Sequence, residues 1–376
     1  MKEVIMWTLS NDKTWQQLEQ RWDWIRAMRD TPQDTRHHGE GNVAIHTQMV
    51  LAALEREPAF RLLPAQEQEI LWTSALLHDV EKYSTTVKEP DGSITARGHA
   101  RKGALTTRQI LYRGEQTVPP PFAIREQIVG LVRYHGLPLW ILEKKDPVKT
   151  LISASLEVNT QWLALLARAD AIGRICADQA DLLYRIDCFE LLCREHNCWG
   201  NTRPFVSSHA FMHYMQREDA AIDYVPFELP EMEVILMSGL PGAGKDTFIK
   251  KHFPHHPVIS LDQIRVQWKI DPTDKAGNGR VIQEAKEQAR TFLRREEGFV
   301  WNGTNTTRQM RLQLSELFMS YRAKVRIVYV ETPYARLPGQ NKGRDAMVPQ
   351  KVIERLIDKL EVPALWEGHT VEFHAG

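Results

Sequence analysis

An apolar segment that leads directly into a glycine-rich loop constrains the fold of this chain more than any other feature. Residues 232–239 read Met-Glu-Val-Ile-Leu-Met-Ser-Gly, and Leu-Pro-Gly-Ala-Gly-Lys follows to complete the pattern GxxxxGK. Such a loop follows a buried strand and opens a helix, so that its backbone N–H groups converge on phosphate oxygens while the lysine reaches the β and γ phosphates. The pattern predicts a nucleoside triphosphate site at Gly239, Gly242, Gly244, Lys245, Asp246 and Thr247.

The residue after the lysine departs from the usual form of this P-loop. Asp246 stands where a Ser or Thr hydroxyl normally contacts Mg²⁺, and Thr247 follows it. The strand predicted over 299–301 leads into Asn302, without the carboxylate that commonly helps to hold the metal. Two interpretations stay open. Asp246 supplies an anionic metal contact, directly or through water, or it caps the helix.

The hydrophobic pattern divides the chain into two halves. In the first half, apolar residues recur at three-and-four spacing and predict an all-α domain, with helices over 15–28, 43–55, 67–78, 98–112, 124–135, 160–171, 178–195 and 208–215. No segment of strand type is expected there. After the prolines near residues 224–230 the pattern alternates strand, loop and helix, with strands over 234–238, 258–261, 299–301 and 325–330. This alternation predicts an α/β domain with a parallel sheet, and domain limits of 1–225 and 232–376.

Charge and cysteine usage narrow the class of protein. Lys and Arg total 48, as do Asp and Glu, but residues 232–376 hold 22 basic against 17 acidic side chains, so a nucleic acid would meet a local basic surface. The four cysteines form no CxxC pair and are expected to be reduced thiols. The short, acidic N-terminal segment is unlike a signal peptide and no apolar run approaches membrane-spanning length. We therefore expect a cytoplasmic protein with no membrane partner.

Dispersed histidines and carboxylates in the first half form a candidate metal site. His46, the pair His78-Asp79, and Asp170 each lie in, or at the end of, an apolar helical segment. An unpaired charge in such a place is costly unless a cation compensates it. Two imidazoles with two carboxylates suit Mn²⁺, Fe or Zn²⁺ better than a pure oxygen ligand set would.

This set resembles that of the HD phosphohydrolase superfamily. The resemblance implies one metal held by His46, His78, Asp79 and Asp170. It also implies a second metal completed by His99 and His135 with Asp79 bridging, and a phosphate-contacting lysine at Lys82. Residues 37–40, which read His-His-Gly-Glu, are open to two interpretations, a lining of the substrate mouth or a turn with surface histidines.

The second and third strands of the C-terminal half end in motifs that resemble those of polynucleotide kinases. Ile-Ser-Leu-Asp262-Gln-Ile-Arg265 is similar to the acceptor motif at a strand end. The similarity implies that Asp262 takes the proton of a 5′-hydroxyl and that Arg265 contacts the neighbouring phosphate. Taken alone, Asp262 could also be a helix N-cap. Asn302-Gly-Thr-Asn305 is similar to the third-strand signature.

A further segment resembles the lid of these kinases, whose arginines close on the donor phosphates. The segment reads Gln340-Asn-Lys-Gly-Arg344 and is followed by Val348-Pro349. Gln340 replaces the first lid arginine, so only Arg344 carries over from the family pattern. Arg336 is a candidate to compensate for the loss. The alternative for Arg344 is a solvated surface charge.

The order of the two halves resembles the bacterial HD-Pnk family of end-healing enzymes. The resemblance spans residues 30–220 and 232–365. It implies an HD domain that removes 2′,3′-cyclic, 2′ or 3′ phosphates with one or two Mn, Fe or Zn ions. It also implies a kinase domain that uses Mg or Mn with ATP or another NTP to phosphorylate 5′-hydroxyl ends. The implied partners are RNA ends, with DNA ends a second option, and a separate RNA ligase that acts downstream.

Two other functions stay open from the sequence. The chain could be a nucleotide-metabolism phosphohydrolase fused to a kinase of small alcohols or nucleosides. The P-loop could instead be a regulatory module that binds ATP or GTP and gates the first domain. Asp262 and Arg265 argue against the regulatory module, because a pure switch needs no acceptor-side base.

Overall fold

The chain folds into two compact units that divide between Pro204 and Phe205. The computed structural model describes residues 6–227, 232–271, 274–343 and 347–376. The sequence pattern places the domain boundary later, near residues 224–230, of which 228–230 lie outside the described residues. The difference is the segment 205–227, which the structure groups with the C-terminal unit. Its His209 ring stacks on the His369 ring there.

The N-terminal unit is mostly helical, as predicted. Its helices are α1 Trp15–Arg21, α2 Asp23–Arg29, α3 Val43–Arg56, α4 Pro58–Arg61, α5 Ala65–Leu77, α6 Lys82–Thr85, α7 His99–Arg113, α8 Phe122–Tyr134, α9 Leu137–Trp140, α10 Pro147–Ser155, α11 Thr160–Ile172 and α12 Gln179–Glu195. A short 3₁₀ helix, Ile141–Glu143, follows α9. Helix α3 packs on α5 and α11, and α8 packs on α5 and α7, so these five helices surround a common interior.

This unit differs from the predicted elements in several places besides its short helices α4, α6 and α9. The helix expected over 15–28 is two helices, because Trp22 adopts an extended conformation between them. Two short strands, β1 Val87–Lys88 and β2 Ile94–Thr95, form an antiparallel hairpin where no strand was expected. Helix α10 was missed, although Asp146 caps it by accepting from the Lys149 N–H at 2.8 Å.

The C-terminal unit contains the predicted parallel sheet. Its strands are β3 Met232–Ser238, β4 Val258–Ser260, β5 Phe299–Asn302, β6 Ala323–Glu331 and β7 Thr370–Ala375, in the order β4-β5-β3-β6-β7. Its helices are α13 Ser208–Gln216, α14 Lys245–His252, α15 Leu261–Trp268, α16 Lys275–Arg294, α17 Arg308–Met319, α18 Leu337–Lys342 and α19 Gln350–Ile357. A 3₁₀ helix, Leu365–Glu367, precedes β7.

Strand β3 is the centre of this sheet and is buried on both faces. Val234 and Leu236 pack into one apolar cluster, whereas Ile235 and Met237 pack into another. A strand covered on both faces reads as a continuous apolar run, which is why the sequence predicts it well. Strand β7 was missed because it lies at the sheet edge and its side chains are only partly buried.

Candidate metal and phosphate sites

Four of the predicted metal ligands meet inside the N-terminal unit. The His46 Nε2 atom lies 3.1 Å from Asp170 Oδ1 and 3.4 Å from His78 Nε2. The His78 Nε2 atom lies 3.2 Å from Asp79 Oδ2. All four side chains are buried. Ligand atoms that share one metal at about 2.0–2.2 Å must lie close to one another, so His46, His78 and Asp79 fit a common ion, and Asp170 contacts this set through His46.

The second predicted set lies on the other side of the same carboxylate. The Asp79 Oδ1 atom is 3.3 Å from His99 Nε2 and 3.9 Å from His135 Nε2, and the two histidine nitrogens are 3.2 Å apart. The Asp79 Oδ2 atom faces His46 and His78 instead. Each carboxylate oxygen of Asp79 therefore faces its own pair of imidazoles.

Three of the histidines are oriented in the same way. In each, Nδ1 lies within hydrogen-bond distance of the backbone carbonyl three residues earlier: His78 with Ala75 at 2.7 Å, His99 with Ala96 at 2.7 Å and His135 with Val132 at 2.8 Å. A carbonyl oxygen can only accept, so Nδ1 carries the proton and Nε2 keeps its lone pair in the neutral ring. In the neutral rings of His99 and His135 the Nε2 atoms are thus available as metal ligands. Burial opposes the charge on His78 but Asp79 raises its pKa, so this ring becomes a ligand when a metal displaces its Nε2 proton.

The protonation of this set supports a bound cation. Burial lowers the pKa of His99 and lowers the pKa of His135 to about 3, so both rings are neutral near pH 7. Burial opposes ionisation of Asp79, yet His78 and Lys82 hold the pKa of its carboxyl well below its usual range. The Nε2 lone pairs of His99 and His135 then face each other and the anionic Oδ1 atom of Asp79. A divalent cation between them would turn this repulsion into coordination, so the residues fit a metal.

Two cationic side chains lie beside the ligand carboxylates. The Lys82 Nζ atom is 2.7 Å from Asp79 Oδ2 and donates to Gln33 Oε1 at 2.6 Å. Arg174 forms two contacts with Asp170, from Nε to Oδ1 at 3.0 Å and from the terminal nitrogen to Oδ2 at 2.5 Å. The structure therefore brings Lys82 to the site as predicted. Arg174 was missed, although its spacing four residues after Asp170 is the available signal.

The segment 37–40 fits the turn interpretation in part, since it contains turn residues but only one surface histidine. His37 is exposed, but the side chains of His38 and Glu40 are buried against the metal site. The Glu40 Oε1 atom lies 2.8 Å from His38 Nδ1 and 2.9 Å from His46 Nδ1. Burial opposes the charge on Glu40, but hydrogen bonds with these two histidines hold its pKa well below the usual range.

The glycine-rich loop of the C-terminal unit has the backbone that its sequence predicts. Gly239, Gly242 and Gly244 have φ of 144°, 81° and 97°, a region that glycine adopts without strain. A Cβ on Gly239 would lie 2.2 Å from the Val330 carbonyl oxygen. Lys245 begins α14 and its Nζ donates to the carbonyls of Gly239 and Leu240. The ammonium group is thus held over the loop that would receive phosphate.

Asp246 is not the N-cap residue of α14, which begins at Lys245. The N-cap position is Gly244, and the Asp246 carboxylate accepts from the Asn302 amide nitrogen at 2.6 Å. The capping interpretation is therefore wrong. Asp246, exposed Thr247 and Asn302 line the same cleft as Lys245, which has a volume of about 1010 Å³.

The acceptor residues belong to a helix rather than to a strand end. Strand β4 ends at Ser260, whose side chain accepts from the Gln263 N–H at 3.3 Å and caps α15. Asp262 therefore lies in the first helical turn, and its N-cap interpretation is wrong. Arg265 contacts Asp262 Oδ1 at 2.5 Å and donates to Asn278 Oδ1 at 2.7 Å. Asp262 and Arg265 line the cleft that holds Lys245.

The loop after β5 is held by a buried polar network. Asn305 has a φ of 42° and donates from its amide to the Met237 carbonyl at 2.7 Å, which joins this loop to β3. Arg311 donates to the Asn305 carbonyl at 3.0 Å and binds Glu367 through two contacts of 2.6 and 3.0 Å. Arg311 and Glu367 are fully buried. Neither Arg311 nor Glu367 is among the residues predicted from the sequence, and no local sequence pattern indicates that they pair.

The predicted lid is described only in part. Gln340 lies in α18 and lines the cleft. Arg344 lies outside the described residues. Arg336 is exposed at the start of α18 and is not among the described residues that line the cleft, so the structure gives no support for its compensating role.

A family model matches this chain within the C-terminal unit. Residues 234–363 match the model of a family described as an AAA domain. None of the curated proteins compared with this chain matches it. One similar solved structure is a candidate kinase from Chloroflexus aurantiacus, 14% identical over 39% of this chain and 87% of that one, with a TM-score of 0.33. Another is a sugar kinase from Janibacter sp. HTCC2649, 12% identical over 38% of this chain and 85% of that one, with a TM-score of 0.30.

The family match and the observed fold agree for the C-terminal unit. It has a five-stranded parallel sheet whose central strand leads into GxxxxGK and then into α14. Among the described residues no helix is both long and apolar enough to cross a membrane. The C-terminal unit is therefore a P-loop domain with a parallel sheet, similar over residues 234–363 to the family described as an AAA domain, and it follows a mostly helical N-terminal unit.

Proposed function

We propose that this chain is a bifunctional end-healing enzyme of nucleic acids. Its N-terminal unit removes 2′,3′-cyclic, 2′ or 3′ phosphates, and its C-terminal unit transfers the γ-phosphate of an NTP to a 5′-hydroxyl. The observation that carries the proposal is the Asp79 carboxylate, whose two oxygens face two separate imidazole pairs in a chain that also contains a P-loop. One site suits the removal of a phosphate and the other suits its addition.

The hydrolytic site needs metal, which its residues would hold in two groups. The proposed ligands of the first ion are His46, His78, Asp79 and Asp170, and those of the second are Asp79, His99 and His135. When bound, divalent ions supply charge stabilisation at the phosphate and lower the pKa of water toward neutrality. Lys82 is held beside Asp79 and would orient a phosphate oxygen of the substrate through its ammonium group.

The access side of this site is the side of His99. The His99 side chain is 24% exposed, whereas the His46 side chain is fully buried. Substrate phosphate would therefore approach past His99 rather than past His46.

The kinase chemistry is assigned to residues around one cleft. Backbone N–H groups of the P-loop and the Lys245 ammonium would hold the donor phosphates. Asp262 would accept the proton of the 5′-hydroxyl as it attacks, and its contact with Arg265 holds its side chain at the cleft. Arg265 would also contact the phosphate next to the acceptor nucleoside. Arg344 would complete the site from the lid.

The proposed partners follow from these two activities. The donor is ATP or another NTP with Mg or Mn, and the acceptor is a broken RNA, with DNA as a second substrate. The healed strand carries a 5′-phosphate and a free 3′-hydroxyl end. These are the ends that a separate RNA ligase joins.

One experiment tests both halves of the proposal. An RNA oligonucleotide with a 5′-hydroxyl and a 2′,3′-cyclic phosphate is incubated with the full chain, Mn²⁺ and ATP, and both termini are read by mass spectrometry. We expect the 5′ end to gain a phosphate and the 3′ end to lose one. Phosphorylation of free nucleosides but not of the oligonucleotide would instead identify a small-molecule kinase. ATP binding without transfer to either acceptor would identify a regulatory module.

A further inference from the structure

His46 is oriented differently from the other three histidines of the metal site. His78, His99 and His135 each pair Nδ1 with a nearby backbone carbonyl. The His46 Nδ1 atom instead lies 2.9 Å from Glu40 Oε1. The approach is off the line of an ideal N–H bond, so the two atoms form a close but bent contact. The orientation of His46 therefore depends on an acidic side chain from a loop.

Glu40 is fixed by contacts with another part of the unit. Its Oε2 atom accepts from the Ile175 backbone N–H at 2.9 Å, and the Gly39 N–H donates to the Ile175 carbonyl at 2.8 Å. Ile175 follows α11, the helix that carries the ligand Asp170. The Glu40 side chain is 1% exposed and also contacts His38. One carboxylate thus connects the loop before α3 to the segment after α11.

We propose that Glu40 is a positioning residue for the first metal. It favours the tautomer of His46 that carries the proton on Nδ1, so that the Nε2 lone pair points toward Asp170 and Asp79. A carboxylate partner also makes the ligating imidazole more basic and restrains its ring, and loss of such partners weakens metal affinity. This inference rests on the proposed metal site but concerns a residue outside the ligand set.

The test measures metal binding by the full chain rather than turnover. Mn²⁺ affinity is measured by competition with a fluorescent chelator, and bound Mn²⁺ is counted after equilibrium dialysis. In Glu40→Ala we expect Mn²⁺ affinity at the first site to fall by about 10- to 100-fold. Glu40→Gln should lose less, because its amide oxygen can still accept from Nδ1 although it carries no charge.

The number of ions distinguishes positioning from direct ligation. A positioning role predicts that both variants bind as many Mn²⁺ ions as the natural chain once Mn²⁺ is saturating. His38, Glu40 and His46 also lie close enough to hold an ion of their own. If Glu40 were a ligand there, Glu40→Ala would lose an ion even at saturation, and the inference would be wrong.

A second loop carboxylate is the matched control. Asp34 accepts from the Arg36 side chain and from the Ile94 backbone N–H at 3.0 Å, and these contacts lie apart from the metal ligands. Asp34→Asn should leave Mn²⁺ affinity unchanged. Thermal unfolding of each metal-free variant shows whether the N-terminal unit is folded. Equal Mn²⁺ affinity in natural and Glu40→Ala chains would overturn this inference alone, whereas no Mn²⁺ binding by the natural chain would overturn the proposed hydrolytic site.

Discussion

The amide nitrogen of Asn302 lies 2.6 Å from a carboxylate oxygen of Asp246, across the junction between β5 and the P-loop helix. In the usual arrangement the helix supplies a hydroxyl and the neighbouring strand supplies the carboxylate that holds the metal. Here the helix carries the acid and the strand carries the neutral polar group. Compared with the usual arrangement, the acidic and the neutral side chain are exchanged between helix and strand, and one carboxylate still lines the cleft.

This exchange predicts the effect of changing Asp246. Asp246→Ala should lower the kinase rate severely and weaken its dependence on Mg²⁺, because the cleft then lacks the anion next to the phosphates. Asp246→Ser should recover part of the rate by restoring the usual hydroxyl. Initial rates at several Mg²⁺ concentrations check both variants.

A double variant gives the sharper version of this test. Asp246→Ser combined with Asn302→Asp restores the usual arrangement and should be more active than Asp246→Ser alone. Full kinase activity in Asp246→Ala would show that the carboxylate does not serve the metal.

Asp79 should be needed for the removal of end phosphates and not for the phosphorylation of 5′-hydroxyl ends. Asp79→Ala removes both oxygens that face the imidazole pairs, so we expect loss of end-phosphate removal and of Mn²⁺ binding. Phosphorylation of 5′-hydroxyl RNA should stay nearly intact, because Lys245 and Asp262 lie in the other unit. Both rates are measured on one doubly labelled oligonucleotide. A joint loss of both activities in a folded protein would contradict the two-site assignment.

Asp262 should affect turnover more than donor binding. Asp262→Asn keeps the size of the side chain but removes its basicity, so we expect turnover to fall by ~10² to 10⁴-fold while ATP affinity is nearly unchanged. Steady-state kinetics with a 5′-hydroxyl RNA, together with ATP titration, check this difference. Undiminished transfer would leave a small-alcohol kinase as the better interpretation.

Arg265 should act on the acceptor instead. Arg265→Ala is expected to raise the KM of oligonucleotides, which carry a phosphate beside the 5′ nucleoside, more than the KM of a free nucleoside. The ratio of the two KM values is the measurement. An equal effect on both acceptors would mean that Arg265 serves only to hold Asp262.

The buried pair of Arg311 and Glu367 should dominate the stability of the C-terminal unit. Arg311→Met removes the fully buried partner of Glu367, which keeps only a longer contact with Arg308, and should reduce the free energy of unfolding by about 3–5 kcal/mol. Arg326→Met disrupts a partly exposed pair with Glu372 and should cost about 0–1 kcal/mol. Urea unfolding of the full chain compares the two. If both variants lost a similar free energy of unfolding, burial of the Arg311–Glu367 pair would not account for its contribution to stability.

The sequence by itself predicts the strands, helices and loop motifs of this protein that neighbouring residues determine. A run of apolar residues before GxxxxGK identifies β3, the P-loop and α14, because strand, turn and helix each leave a local pattern. Helical periodicity likewise locates the helices that carry His46 and Asp170. The strand predicted over 258–261 was one residue too long by the same reasoning, since a strand and the first turn after it share apolar residues.

Only the tertiary structure decided which residues far apart in the chain contact each other. The Glu40 contact with Ile175 spans 135 residues, the Asp246 contact with Asn302 spans 56, and the Arg311 contact with Glu367 spans 56. Periodicity and turn chemistry act over a few residues and carry no information about which distant side chains will meet. The packing of helices and strands sets those distances, and it placed each oxygen of Asp79 against its own pair of histidines.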